Sequence, residues 1–196
     1  MSGTDQDAPA PLDALSWPVR TARLSLRRVS AADEEAVWAY RRLEQVSRWG
    51  SWRPADRQDW RAILTARLRD LLVIELQGRV VGDVMVKVED GWAQREVRQQ
   101  ARGVHAELGW ALDPAFGGRG YASEAVREVL RVCFEGLGLR RVTANAFAAN
   151  VASIRLMERV GMRRELYTVA DSLHRDLGWV DGVGYALLAQ EWAAGR

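Results

Sequence analysis

PAFGGRGYASEA, residues 114–125, is the stretch whose reading decides the fold. Three glycines, Gly117, Gly118 and Gly120, crowd into it. Upstream, HAELGWAL (His105–Leu112) is a short apolar run of strand character. Downstream, Ala125, Val126, Val129, Leu130, Cys133, Phe134 and Leu137 recur at helical spacing, and Gly136 and Gly138 supply a stop. A glycine loop between a strand and a helix exposes successive backbone N–H groups where the helix carries partial positive charge. That is a seat for phosphate or pyrophosphate. Taken alone, such a loop is more often a tight connection than a ligand site. The strand and helix around it favour the ligand.

Two phosphate cradles fail on their residues. A Walker A loop needs a Lys after its last glycine, and Lys87, the only lysine, lies elsewhere. A dinucleotide fingerprint needs G-x-G-x-x-G. Counted from Gly118 and Gly120, the third glycine is replaced by Ser123.

The loop resembles the Gln/Arg-x-x-Gly-x-Gly/Ala signature of the GNAT acetyltransferase superfamily, which binds the pyrophosphate of acetyl-CoA. Gly117, Gly118, Arg119, Gly120, Tyr121 and Ala122 occupy its positions. The first is a departure: Gly117 stands where Gln or Arg is usual, which removes a side-chain contact and keeps the backbone donors. Three more segments are similar, in the same order, to the branch that contains the N-terminal acetyltransferases of ribosomal proteins. They are TARLSLR (residues 21–27), ANVASIRLMERVGMRRE (149–165) and GWVDGVGYALLAQEW (178–192). The resemblance implies an α/β fold with a central twisted, mixed β-sheet flanked by helices. It also implies acetyl-CoA as co-substrate, with no metal, and a bacterial-type N-acetyltransferase in which the amine attacks the thioester directly. Homodimers are frequent in that branch, and this alone is the ground for expecting one here.

Bulk properties fit one domain. The chain has 196 residues, 48% hydrophobic and 28% charged, enough to bury a core. The reading divides it into a flexible tail, residues 1–18, and a single acetyltransferase domain, residues 19–196. No apolar run approaches the length of a membrane span. The opening residues lack the basic and apolar regions of a signal peptide, so a cytoplasmic location is expected. A net charge of +2 argues against nucleic acid as a partner. The lone Cys133 excludes an internal disulfide and lies on the apolar face of its helix, where packing is its expected role.

Along the chain, Leu24 and Leu26 mark a first strand, and Ser30 with Asp33 a capped helix to about Gln45. Asp56 caps a second helix to about Arg69. Residues 71–76 and 80–88 read as strands joined at Gln77-Gly78-Arg79. Residues 89–103 read as a polar loop, 141–147 as a strand, and 150–160 as a short helix closed by Gly161. Strands at about 163–171 and 182–188 complete the sheet.

Acetyl transfer to an amine requires a held cofactor, a polarised carbonyl, a neutral amine and a stabilised leaving thiolate. Gly117 to Ser123 would hold the pyrophosphate, with Arg119 as an added side-chain contact or a solvated surface residue. The resemblance places Trp110, Ala111 and Leu112 along the pantetheine arm. Asn150 and Ser153 read as a helix N-cap and its N3 residue. The resemblance gives Asn150 a pantetheine contact, and Ser153 the proton for the departing thiolate. Glu107 is a candidate base through a water, or else a paired structural glutamate, and Asp83 is a weaker candidate. His105 and His174 read as surface histidines, with His174 in a segment that could face the substrate. The acceptor, a peptide N-terminus or small-molecule amine, would meet Trp49, Trp52, Arg53 and the stretch around His174. Transfer of a larger acyl group such as succinyl, and a non-catalytic acyl-CoA-binding domain, stay open at this level.

Acetyl-CoA is expected to raise the melting temperature in a thermal-shift assay, and Gly120→Asp to abolish the rise by placing a carboxylate in the anion seat. An undiminished shift in Gly120→Asp contradicts this placement of the seat.

Overall fold

The computed structural model describes residues 11–195. Its frame is an eight-stranded mixed sheet in the order β1-β2-β3-β4-β5-β6-β8-β7. The strands are β1 (Val19–Arg20), β2 (Ser25–Arg28), β3 (Leu71–Leu76), β4 (Arg79–Glu89), β5 (His105–Leu112), β6 (Arg141–Phe147), β7 (Arg163–His174) and β8 (Gly178–Leu188). Every neighbouring pair is antiparallel except β5–β6. The helices are α1 (Glu34–Arg41), α2 (Glu44–Ser47), α3 (Arg57–Arg67), α4 (Tyr121–Arg131), α5 (Val151–Arg159) and α6 (Ala189–Ala194). None of them is long and apolar enough to cross a membrane.

Alternation along the strands builds two cores, one on each face. The larger takes Leu108 of β5, Val84 and Val86 of β4, the Val126–Leu130 face of α4 and Leu156–Met157 of α5. The smaller joins Val37 and Tyr40 of α1, Trp60 and Leu64 of α3, Val73 of β3 and Ala111 of β5. Successive β5 residues therefore serve opposite sides, and the strand separates an α4–α5 side from an α1–α3 side. Local signals start and stop the elements as expected. The Asp56 carboxylate accepts from the N–H groups of Gln58 and Asp59 and caps α3. Gln77 and Gly78 both take positive φ in the two-residue β3–β4 turn.

Four expectations change. Residues 1–10 lie outside the described residues, but residues 11–18 are not a tail. Leu12 is 1% exposed within the larger core, and the Trp17 indole N–H donates to its carbonyl at 2.8 Å. The first helix is broken into α1 and α2. The loop at 89–103 contains a 3-10 helix, Arg95–Ala101, and Gly91 N–H donates to Ala101 O at its base. The last two strands reach further than their apolar residues suggest. Their register shifts between Thr168 and Ser172, and Leu173 then pairs with Trp179.

Leu12→Ala is expected to lower stability by about 2–4 kcal/mol through the cavity it leaves, measured by urea denaturation. A loss near zero contradicts its place in the core.

Candidate active site

The two central strands part company early. β5 and β6 pair through three residue pairs, ending at Glu107↔Thr143, although β5 runs on to Leu112 and β6 to Phe147. Each stays paired along its far edge, β5 with β4 and β6 with β8. The gap opens between them, and the Asn145 side chain reaches across its start to Glu107 Oε1 at 3.1 Å. Backbone direction alternates along a strand. Asp113 N–H donates to Val81 of β4 and Ala106 O accepts from Thr143 of β6. It follows that Leu108, Trp110 and Leu112 turn their N–H and C=O groups into the gap. Ala111, expected beside them, lines the same cleft but faces β4.

The gap opens into a cleft of about 1150 Å³, large enough for a cofactor-sized ligand. At one end lies the glycine loop. Gly118 and Gly120 sit at φ +73° and +80°, which side chains rarely adopt, and a Cβ on Gly118 would meet only open space. Gly120 is the N-cap of α4, and the bond from Glu124 N–H to Gly120 O closes the first turn. Helix geometry then leaves the N–H groups of Tyr121, Ala122 and Ser123 without intrahelical acceptors. All three residues line the cleft with Gly118 and Gly120. Gly117 and Arg119, expected to bind with them, do not. Gly117 N–H is already given to Pro114 O, and Arg119 is exposed. Arg159 of α5 lines the cleft here instead, donating to Ser123 Oγ at 3.1 Å. This chain thus fits a pyrophosphate through backbone donors, a helix N-terminus and Arg159.

A clamp fixes the loop. Thr21 Oγ1 and Arg23 N–H both donate to Glu124 Oε1, and Arg23 Nε donates to Glu124 Oε2 at 2.7 Å. Arg23 Nη1 also donates to Arg119 O at 3.0 Å, and its guanidinium lies 4.5 Å from the Tyr121 ring centroid. Burial alone would raise the Glu124 pKa, but Thr21 and Arg23 outweigh it and hold the carboxyl below its usual value of 4.5. Thr21 and Arg23 were visible only as part of a motif. The partner that gives them a role lies about a hundred residues away.

Asn150 and Ser153 stand across the gap at the start of α5. Asn150 Oδ1 accepts Ser153 N–H at 3.2 Å, and Asn150 Nδ2 donates to Ser153 Oγ at 3.0 Å. The capping bond is real, and the second bond adds something. With an Oγ lone pair occupied by Asn150, the Ser153 hydroxyl proton is free to point elsewhere. Both residues line the cleft.

The α1–α3 side holds Trp49, Trp52, His174 and Glu107, all lining the cleft. Trp52 packs on Trp60, with ring centroids 5.7 Å apart. His174 is 3% exposed and not a surface residue. Its Nδ1 accepts from the N–H groups of Asp176 and Leu177, which leaves the ring proton on Nε2 to donate to Arg48 O at 2.8 Å. Trp49 and Phe147 pack on its ring at 5.3 and 5.1 Å between centroids. His174 is therefore a wall that fastens the β7–β8 hairpin to the Arg48–Trp49 loop. Asp83 is a second correction. It is fully buried, outside the cleft lining, and bound by Tyr40 Oη at 2.6 Å and by Arg41. It fixes α1 on β4 and is closed to substrate. Arg53 is exposed and paired with Glu44. His105 is half-buried at the start of β5, where burial, then Arg141 and Arg140, lower its pKa. Cys133 is buried, which pushes its thiol up to about 12 and excludes a thiolate role.

Comparison with known proteins places this geometry. The acetyltransferase (GNAT) domain model matches residues 23–163. The chain belongs to the GNAT acetyltransferase family. An uncharacterized N-acetyltransferase, YnaD of Bacillus subtilis, is 28% identical over 89% of this chain and 98% of its own. Among solved structures, a GNAT-family acetyltransferase from Bacillus anthracis superposes with a TM-score of 0.76 at 28% identity, covering 89% of this chain and all of its own. Mycobacterium smegmatis RimJ, solved in complex with CoA-disulfide, superposes at 0.69 with 27% identity, covering 88% of this chain and 90% of its own. The GNAT fold and its N-acetyltransferase activity are thus those expected from the glycine loop.

The clamp has a pH signature. Because the folded pKa of Glu124 lies below its unfolded value, its stabilisation is present above about 4.5 and is lost as pH falls through the lower folded value. Glu124→Gln is expected to remove that part of the acid-unfolding profile and to raise the KM for acetyl-CoA several-fold. An unchanged profile and KM contradict the clamp.

Proposed function

We propose that this protein transfers the acetyl group of acetyl-CoA to a primary amine, either a peptide N-terminus or a small-molecule amine, by direct attack on the thioester. The observation that supports the proposal is that the Asn150–Ser153 pair, Glu107 and the α4 N-terminus all line the one cleft into which the β5–β6 gap opens.

Acetyl-CoA, when bound, supplies the acetyl thioester. The N–H groups of residues 121–123 and the Arg159 guanidinium hold its pyrophosphate. The inward backbone groups of Leu108, Trp110 and Leu112 pair with the pantetheine arm as a third strand would, and one N–H among them polarises the thioester carbonyl. Glu107 has Oε1 taken by Asn145, while Oε2 has no hydrogen-bond partner among the described residues. That oxygen removes the ammonium proton through a water, leaving a neutral amine to attack. As the C–N bond forms and the C–S bond breaks, Ser153 gives its proton to the departing sulfur and is reprotonated by the proton that the acylated nitrogen loses. Asn150 holds the hydroxyl in place throughout.

Ser153→Ala is expected to lower kcat about 10²-fold, in the range of a lost general acid, with the KM for acetyl-CoA nearly unchanged. Glu107→Gln is expected to lower kcat by a similar factor. Thiol release measured against a panel of amines and peptides reads both. Unchanged kcat in Ser153→Ala removes it as the proton donor.

A further inference from the structure

The acceptor side of the cleft is rich in guanidinium groups. Across the whole cleft two carboxylates, Glu107 and Asp171, face five arginines: Arg41, Arg48, Arg67, Arg159 and Arg175. Arg41 is neutralised by Asp83, and Arg159 belongs to the loop end. The other three have no carboxylate partner among the described residues. Arg48 stacks over Trp49 at 5.1 Å, and Arg175 donates to Gly50 O at 3.3 Å, both at the exposed rim.

Arg67 is different, because it is half-buried. It projects from the end of α3, and its one side-chain polar contact among the described residues is Nη1 to the Met85 sulfur at 2.8 Å. A thioether is a weak acceptor for a guanidinium. Its remaining N–H donors are not sealed from solvent and no protein group among the described residues claims them, so something entering the cleft can. Its position suggests what does. Met85 pairs with Gly109 across β4–β5, and Glu107 is the next residue on the same face of β5. Diagonal neighbours of this kind lie roughly 7–8 Å apart. Arg67 therefore stands one step from the carboxylate proposed to deprotonate the amine.

We propose that the acceptor is an amine carrying a carboxylate a few bonds away, which Arg67 binds while the amine faces Glu107, with Arg48 and Arg175 drawing the anion in at the rim. The proposal rests on the transferase reading above and names its substrate class. A guanidinium fork matches a planar carboxylate with two parallel hydrogen bonds. A polyamine would meet the three arginines as like charges. The carboxylate has two possible sources, a free amino acid or an acidic residue beside a peptide N-terminus.

The test is calorimetric titration of the CoA-loaded protein with two matched pairs: L-glutamate against its diamide, and Ser-Glu-Ala-amide against Ser-Gln-Ala-amide. In at least one pair the carboxylate member is expected to bind about tenfold tighter or more, the size of a charge-assisted pair of hydrogen bonds. Arg67→Leu should erase that preference, and Arg98→Leu, at an exposed arginine outside the cleft lining, should keep it. The acetyl-CoA thermal shift of Arg67→Leu, equal to wild type, shows the fold intact. The pair that discriminates identifies the source. Equal binding within both pairs, or a preference that survives in Arg67→Leu, overturns the proposal. Thiol release from acetyl-CoA with the same four compounds separates the two readings. Carboxylate-dependent binding without release contradicts transfer and upholds the specificity. Equal release from both members of each pair upholds transfer and overturns the specificity.

Discussion

Everything in this molecule turns on the early divergence of β5 and β6. Two parallel neighbours in the middle of a sheet stop pairing after Glu107↔Thr143, while each stays bonded along its other edge. Buried backbone donors and acceptors rarely go unpaired, so a gap of this kind is a cost the fold bears for a purpose. The edge it exposes is a ready-made ladder for an extended ligand. The loop after β5 then turns into α4 and brings unpaired N–H groups to the end of that ladder. A ligand with an extended amide-bearing arm and a pyrophosphate matches both features at once.

The surrounding structure holds this opening in place. Thr21 and Arg23 reach from the β1–β2 connection to Glu124 and the Arg119 carbonyl, fixing the loop from outside. His174 ties the β7–β8 hairpin to the Arg48–Trp49 loop and walls the cleft on the α1–α3 side. Asp83, buried with Tyr40 and Arg41, anchors α1 to β4. None of these groups needs to touch the reacting atoms. They decide where the atoms are, and sub-ångström placement is much of what catalysis asks of a scaffold.

Much of the candidate site was legible in the sequence because its signals are local. Gly118 and Gly120 are needed at positive φ, and Asn150 and Ser153 sit at the fixed offset of a helix cap, so a few adjacent letters carry each message. What escaped depends on partners far apart in the chain. Asp83 reads as a free carboxylate until Arg41, 42 positions earlier, is seen to hold it. His174 reads as exposed until Arg48 O, 126 positions away, is seen to accept a hydrogen bond from its Nε2–H. Arg67 is one of many arginines until it is seen to lack a carboxylate partner among the described residues. The packing of Leu12 was hidden for a different reason: the Pro- and Ala-rich run that holds it, with Leu15 and Trp17, is too short for periodicity to betray it.

The central claim is that backbone amides of the β5 edge and the α4 N-terminus grip the acyl-CoA. Hydrogen–deuterium exchange with and without acetyl-CoA tests it most directly. The account predicts that added protection concentrates in residues 108–112 and 118–123, with little change in β2 and β3. Protection that falls outside those two segments, or none at saturating acetyl-CoA, would contradict it.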